Sequence, residues 1–177
     1  EDRPEEIKYL VNQALEEQEV SVVAKRVKRS EGFLFQILYE VHKLITLVFT
    51  GKQINFGNYS CLTKKDVEQI SSKASLWSSY SGTVKKYIKN LNEINSTRGL
   101  RYFGPSKMPL FKLILLSFSI ISVFKMNVFI RSALLLVLLS YLYPYFGFIS
   151  PLFQIMIVIF NIFIYLISTK SSNNRLN

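Results

Sequence analysis

The sequence predicts an α/β cytoplasmic part, then an amphipathic helix, then a two-helix transmembrane hairpin. Three observations predict it. Near the N-terminus a helical pattern is followed at once by a β pattern, the order of an α/β unit. The chain closes with two apolar stretches of about twenty residues, and such a length at about 1.5 Å per residue crosses a hydrocarbon core of roughly 30 Å. Charge is also unevenly spread. Residues 1–19 carry seven acidic and two basic side chains, residues 25–112 carry sixteen Lys/Arg against five Asp/Glu, and Arg131 is the only charge from Val128 to Ser168. The net +10 of these 177 residues therefore belongs to the middle segment.

Taken in order, Pro4–Gln18 reads as a helix. Pro4 suits its first turn, and Ile7, Leu10, Val11, Ala14 and Leu15 recur at helical spacing. Val20–Ala24 follows as a short strand, with the basic run Lys25-Arg26-Val27-Lys28-Arg29 at its C-terminal end. In open α/β sheets ligands gather at that edge. Gly32–Thr50 reads as a second helix, with Ser30 as cap and Gly51 as stop. Gln36, Glu40, Lys43 and Thr50 form one narrow polar stripe on it, and Glu40, His42 and Lys43 argue against a membrane span. So apolar a helix packs in a core or lies in the membrane interface, and the interface is the preferred reading.

Asn55–Leu62 reads as a turn-rich connection. Thr63–Ser72 reads as a short helix, with Thr63 and Asp66 at capping-box spacing. Leu76–Asn90 is expected to be helical, Leu91–Ser96 a strand and Thr97–Pro109 a basic loop. Leu110–Phe124 reads as an amphipathic helix on the membrane surface that leads into the first span.

The spans are Val128–Gly147 and Ile149–Ser168, joined by the short uncharged link YPYFGFISP. Lys107, Lys112, Lys125 and Arg131 precede or open the first span, and Lys170 and Arg175 follow the second. The positive-inside rule then puts both ends in the cytoplasm. Tyr141, Tyr143 and Tyr145 suit the far interface, and Pro144 and Pro151 bracket the turn. Asn161, deep in the second span, either bonds the neighbouring helix or is simply tolerated. The expected divisions are a cytoplasmic part over 1–108, a juxtamembrane helix over 109–126, two transmembrane helices over 127–169 and a polar tail over 170–177. The single Cys61 excludes an internal disulfide and fits a reducing compartment. No signal peptide is visible, because the start is acidic and lacks an apolar run.

Few catalytic constellations are available. With one histidine, His42, and one cysteine, a zinc site or a Cys/His nucleophile pair is not supported. The aspartates are only Asp2 and Asp66, and neither a P-loop nor a Rossmann fingerprint occurs. The basic clusters Lys25/Arg26/Lys28/Arg29 and Arg98/Arg101/Lys107 remain. The second lies directly before a membrane-surface helix, where each Lys or Arg near anionic headgroups is worth about 1 kcal/mol. Arg also forms bidentate pairs with phosphate, so a lipid-linked phosphate suits these clusters as well as plain positive-inside charge does. Charge held against a bilayer is a poor surface for nucleic acid.

Four pieces resemble the C-terminal portion of membrane-bound family 2 glycosyltransferases, the dolichol-phosphate mannose synthase and bactoprenol glucosyltransferase type. EDRPEEI (1–7) resembles the QDPPEEI that follows the family's metal-binding DxD. VVAKRVKR (22–29) resembles its strand ending in basic residues, and GNYSCL (57–62) its GDFRLL or GNFS element. RGLRYFGPSKMP (98–109) resembles its R-x-x-R-x-x-G-x-S-K-x-P loop. Arg131 also has a counterpart, and LWSSY (76–80) resembles the GNFS branch.

The resemblance implies the C-terminal part of a GT-A-type α/β domain with amphipathic interface helices. Such a domain transfers a sugar from a nucleotide sugar to a polyprenyl phosphate or related lipid-linked acceptor at the cytoplasmic face. It implies a divalent metal, Mg or Mn, held mostly by residues upstream of this chain, with Glu1 where the family has a Gln near the metal. Arg98, Arg101, Ser106 and Lys107 match the loop over the active site, and Arg26 matches a basic residue that meets phosphate. Asn58 stands where the family has Asp, and Ser60 where it has Arg; an Asn cannot serve as a base. Without the upstream DxD this chain is expected to be inactive alone. A bacterial inner or plasma membrane is favoured over the endoplasmic reticulum, and a homo-oligomer is left open. The alternative is a non-catalytic membrane module that docks anionic lipid or a partner subunit. A small transporter or flippase component is the third and weakest option.

Overall fold

A computed structural model describes residues 4–16, 20–28, 33–97 and 109–173. Helices predominate among them, around one small mixed sheet. Helix α1 spans Glu5–Glu16, and strand β1 (Ser21–Lys28) follows it. Helix α2 (Phe33–Thr50) leads to strand β2 (Phe56–Cys61) and helix α3 (Lys64–Ser71). A 3-10 turn over Ala74–Trp77, helix α4 (Tyr80–Tyr87) and strand β3 (Leu91–Thr97) complete this part. The C-terminal part holds α5 (Leu110–Ser122), α6 (Lys125–Tyr141), the single turn α7 (Tyr143–Phe146) and α8 (Ile149–Asn173).

β1 is the central strand. It pairs antiparallel with β2 and parallel with β3. Successive strand residues face opposite sides of a sheet, so β1 feeds two cores. Val23 joins Ile54, Phe56, Ile70, Val84 and Ile88 on one side, and Val22 and Ala24 join Leu10 and Ile94 on the other. The first core also takes Val123 and Phe124, the residues between α5 and α6. The elbow between those helices is thus plugged into the sheet. A third cluster of Ile121, Val128 and Ile164 gathers Phe49, Phe118, Phe129 and Phe160 from α2, α5, α6 and α8.

Several expectations need correction. The strand expected over Val20–Ala24 runs on to Lys28, so Lys25, Arg26 and Lys28 lie within it and not beyond its end. Parallel pairing with β3 out to Lys28↔Thr97 carries it that far. Asn55–Leu62, expected as a connection, contains β2, because β1 supplies a pairing edge that local turn chemistry does not reveal. The helix expected over Leu76–Asn90 is two pieces, since Ser79 caps a new start by accepting from the Gly82 amide at 3.2 Å. The tail is helical through Asn173.

The membrane helices also differ from expectation. Within α8, Ile149–Lys170 is long and apolar enough to cross a membrane, with mean hydropathy 2.2. It is the one described helix that meets this test unaided. The expected first span is shorter: α6 has 17 residues and meets α5 at a 91° bend. Leu142 and the α7 turn, with Gly147 at φ 52°, interrupt the rest of that stretch. Asn161 does not reach the neighbouring helix. Its Nδ2 donates to Ile157 O at 2.7 Å in its own helix, while its Oδ1 is buried with no hydrogen-bond partner.

Most of the described apolar face of helix α2 is turned outward. Its buried residues are Thr46 and Thr50, whereas Ile37, Val41, Leu44 and Val48 are exposed. The Thr50 hydroxyl donates to Thr46 O at 2.6 Å. Phe49 packs inward against Phe160, while most of the other described apolar side chains of the helix face outward.

Candidate functional site

The parallel pair β1/β3 ends at one sheet edge. Arg26 is the register partner of Ser96, and Lys28 of Thr97. Ser96 Oγ also donates a hydrogen bond to the Glu6 carboxylate, so the first turn of α1 reaches the same edge. Three segments that are distant in sequence therefore meet there: the start of α1, the basic end of β1 and the end of β3. The chain leaving β3 at Thr97 enters the Arg98–Lys107 segment and returns at Pro109 to start α5.

Asn58 lies beside this edge. The register between β1 and β2 passes from Val23↔Ser60 to Lys25↔Phe56, which leaves Gly57, Asn58 and Tyr59 opposite Ala24 alone. Such a bulge bends a strand and re-aims side chains, and bulges are enriched next to active sites. Asn58 is exposed on it. Ser60, one step further, lies 2.5 Å from the Tyr80 hydroxyl and is committed to that contact.

Of the residues singled out from the sequence, Asn58 and the backbone of Arg26 are thus placed near one another at the sheet's basic end. Glu1, Arg98, Arg101, Ser106 and Lys107 lie outside the described residues.

Among the described residues no three His, Cys, Asp or Glu come together as a candidate cation site. Asp66, the one aspartate described, accepts from Ser21 Oγ at 2.5 Å at the start of α3. Ser21 Oγ in turn accepts from the Thr63 amide at 3.0 Å. This aspartate is a structural clasp.

Two side chains tie α6 to α2: Arg131, which the sequence singles out for its charge, and Asn127, which it does not. Arg131 Nη1 donates to Val48 O at 3.2 Å, and Asn127 Nδ2 donates to Thr50 O at 3.2 Å. Both are side chains of α6 that satisfy carbonyls in the last turn of α2, which carries the negative end of the helix dipole. Gly51, at φ 71°, lets the guanidinium approach; a Cβ there would lie 2.5 Å from Arg131 Nη2. The only sequence signal was a charge inside an apolar stretch, which reports a partner without naming it.

No known family, no curated protein and no solved structure matches this chain.

Proposed function

We propose that this chain is the C-terminal part of a membrane glycosyltransferase of the family 2 type. It carries the acceptor-side half of a GT-A-type domain. The full protein would transfer a sugar from a nucleotide sugar to a polyprenyl phosphate or a related lipid-linked acceptor. The observation that carries this reading is the convergence at the end of β1/β3. The segments that resemble the family in four separate places lead to, or lie beside, one basic edge. That edge is one connection away from α5 and from the elbow plugged into the core. Phosphate on a lipid and phosphate on a nucleotide both suit guanidinium and ammonium groups there.

The arrangement favours an enzyme that works on the membrane surface. In this reading α6 and α8 form the anchoring hairpin, α2 and α5 lie in the interface, and both chain ends are cytoplasmic, in a bacterial inner or plasma membrane. Arg26, Arg98, Arg101, Ser106 and Lys107 bind and orient phosphate. Asn58, at the bulge, orients the acceptor by hydrogen bonding, because an amide does not take up a proton as a carboxylate does. Metal ligands, if the donor diphosphate needs them, come from outside the described residues.

The test uses the full-length protein with nucleotide sugars and polyprenyl phosphate. Arg101→Ala and Lys107→Ala each remove a charge-assisted contact worth roughly 1.5–3 kcal/mol, so transfer falls about ten- to a hundredfold. Normal turnover in both variants overturns the loop assignment. The coding sequence before Glu1 separates this reading from a non-catalytic docking module. About one hundred residues of βαβ pattern with a DxD support the enzyme, and a start codon at that point supports the module.

A further inference from the structure

One exposed aromatic stands apart from the phosphate edge. Trp77 is the only tryptophan in the chain and is 69% exposed. It sits on the 3-10 turn, where its neighbour Leu76 packs against the core that holds Val23 and Phe124. The turn is held firmly. Ser78 Oγ donates to Ser119 O at 3.2 Å and lies 3.0 Å from Ser122 Oγ, both on α5. Thr83 Oγ1 donates to Ser75 Oγ at 3.0 Å on its other side. A large amphipathic ring is therefore fixed facing outward on a rigid support.

The position of that support says what covers the ring. The turn packs against α8 as well as α5. Ser78 bonds α5 on both sides of Ile121, which packs on Ile164, so the turn lies at the level of Ile164, six residues before Lys170. The apolar run of α8 ends at Lys170, where a lysine marks the passage from hydrocarbon to headgroups. Tryptophan is enriched at that level, with its ring among the acyl ends and its N–H toward water.

We infer that Trp77 is a lipid anchor: it enters the headgroup layer of the bilayer that α8 crosses and fixes the tilt of the sheet over the membrane. The inference rests on the membrane reading of α8, and the experiment separates the two. The 177-residue chain, in which Trp77 is the one tryptophan, is reconstituted in phosphatidylcholine/phosphatidylglycerol vesicles, so its emission reports Trp77 alone. Lipids brominated near the headgroup end of the acyl chains quench most of that emission, aqueous iodide quenches little, and the maximum lies to the blue of tryptophan in water. In a second chain, Trp77→Phe with Ile159→Trp, deep-brominated lipids quench the reporter in mid-α8. If Trp77 is open to iodide and untouched by brominated lipid while the Ile159→Trp reporter is quenched, the anchor is overturned and the span stands. If neither is quenched by brominated lipid, both the span and the anchor fall.

Discussion

The sheet region and the C-terminal helices bury their apolar residues in opposite ways. Around β1, Val22 and Val23 are fully buried, as is Val84 of α4. Along α6 and α8, Leu134, Val137, Ile155 and Ile159 stand about half exposed or more, on helices that still pack against each other. Apolar surface of that extent on a contiguous set of helices marks a face that meets a membrane or another protein surface. On the proposed membrane reading the two regions meet different solvents, and the elbow at Val123 and Phe124 is the joint between them.

An Ile→Ala change should therefore have effects of very different size in the two regions. Ile70→Ala, at 3% exposure in the sheet core, should cost about 2–5 kcal/mol of stability through the cavity it leaves. Ile159→Ala should change unfolding in detergent by no more than about 0.5 kcal/mol, as outward-facing positions do. Ile159→Lys should instead lose membrane integration, since lysine at a helix centre costs about 2.5–3.5 kcal/mol in insertion. Denaturant titration measures the first two, and carbonate extraction of membranes measures the third. An Ile159→Lys chain that stays fully membrane-integrated would break the two-solvent comparison.

The joint between the regions is sharpened by Gly51. Gly51→Ala must place a side chain at φ 71° and within 2.5 Å of Arg131 Nη2. The backbone strain alone is about 1–3 kcal/mol, and the displaced guanidinium forfeits its bond to Val48 O. In an Arg131→Ala background only the backbone share should remain, so the double-mutant cycle yields a non-zero coupling. Additive losses would mean that Arg131 does not hold α2 to α6.

What the sequence revealed follows this division. Long, periodic or apolar segments were legible: α1, α2, α5 and α8 lie close to their expected bounds, because each is set by a pattern internal to itself. β2 was not, since NFGNYSCL becomes a strand only when Val22, Val23 and Lys25 offer it partners. The break between the 3-10 turn and α4 was missed because three serines and a tyrosine carry no loud stop signal, and the Ser79 cap is visible only once Gly82 turns toward it. At the candidate site, the basic residues were legible as charge. The meeting of β1, β3 and the start of α1 at one edge was not, because parallel register between β1 and β3 is a tertiary fact. The outward turn of most of α2's apolar face was half legible: its apolar content was plain, but which face Thr46 and Thr50 would occupy depended on α6.

The smallest effect tests whether the sheet region keeps its own local stability apart from the membrane helices. Thr63 begins α3, and its hydroxyl accepts from the Asp66 amide at 3.2 Å. Its own amide donates to Ser21 Oγ, which donates in turn to the Asp66 carboxylate, so the cap ties α3 to the first residue of β1. Thr63→Ala removes the hydroxyl but leaves both of those bonds available, so it should cost about 1 kcal/mol, the usual worth of an N-cap. Thr63→Ser should restore most of that loss. Hydrogen exchange should speed in α3 and at the start of β1 while the amides of α6 and α8 keep their protection, because no cap contact crosses the elbow. Faster exchange throughout α8 would mean that the two regions open as one unit, and the elbow would then be a rigid joint between them.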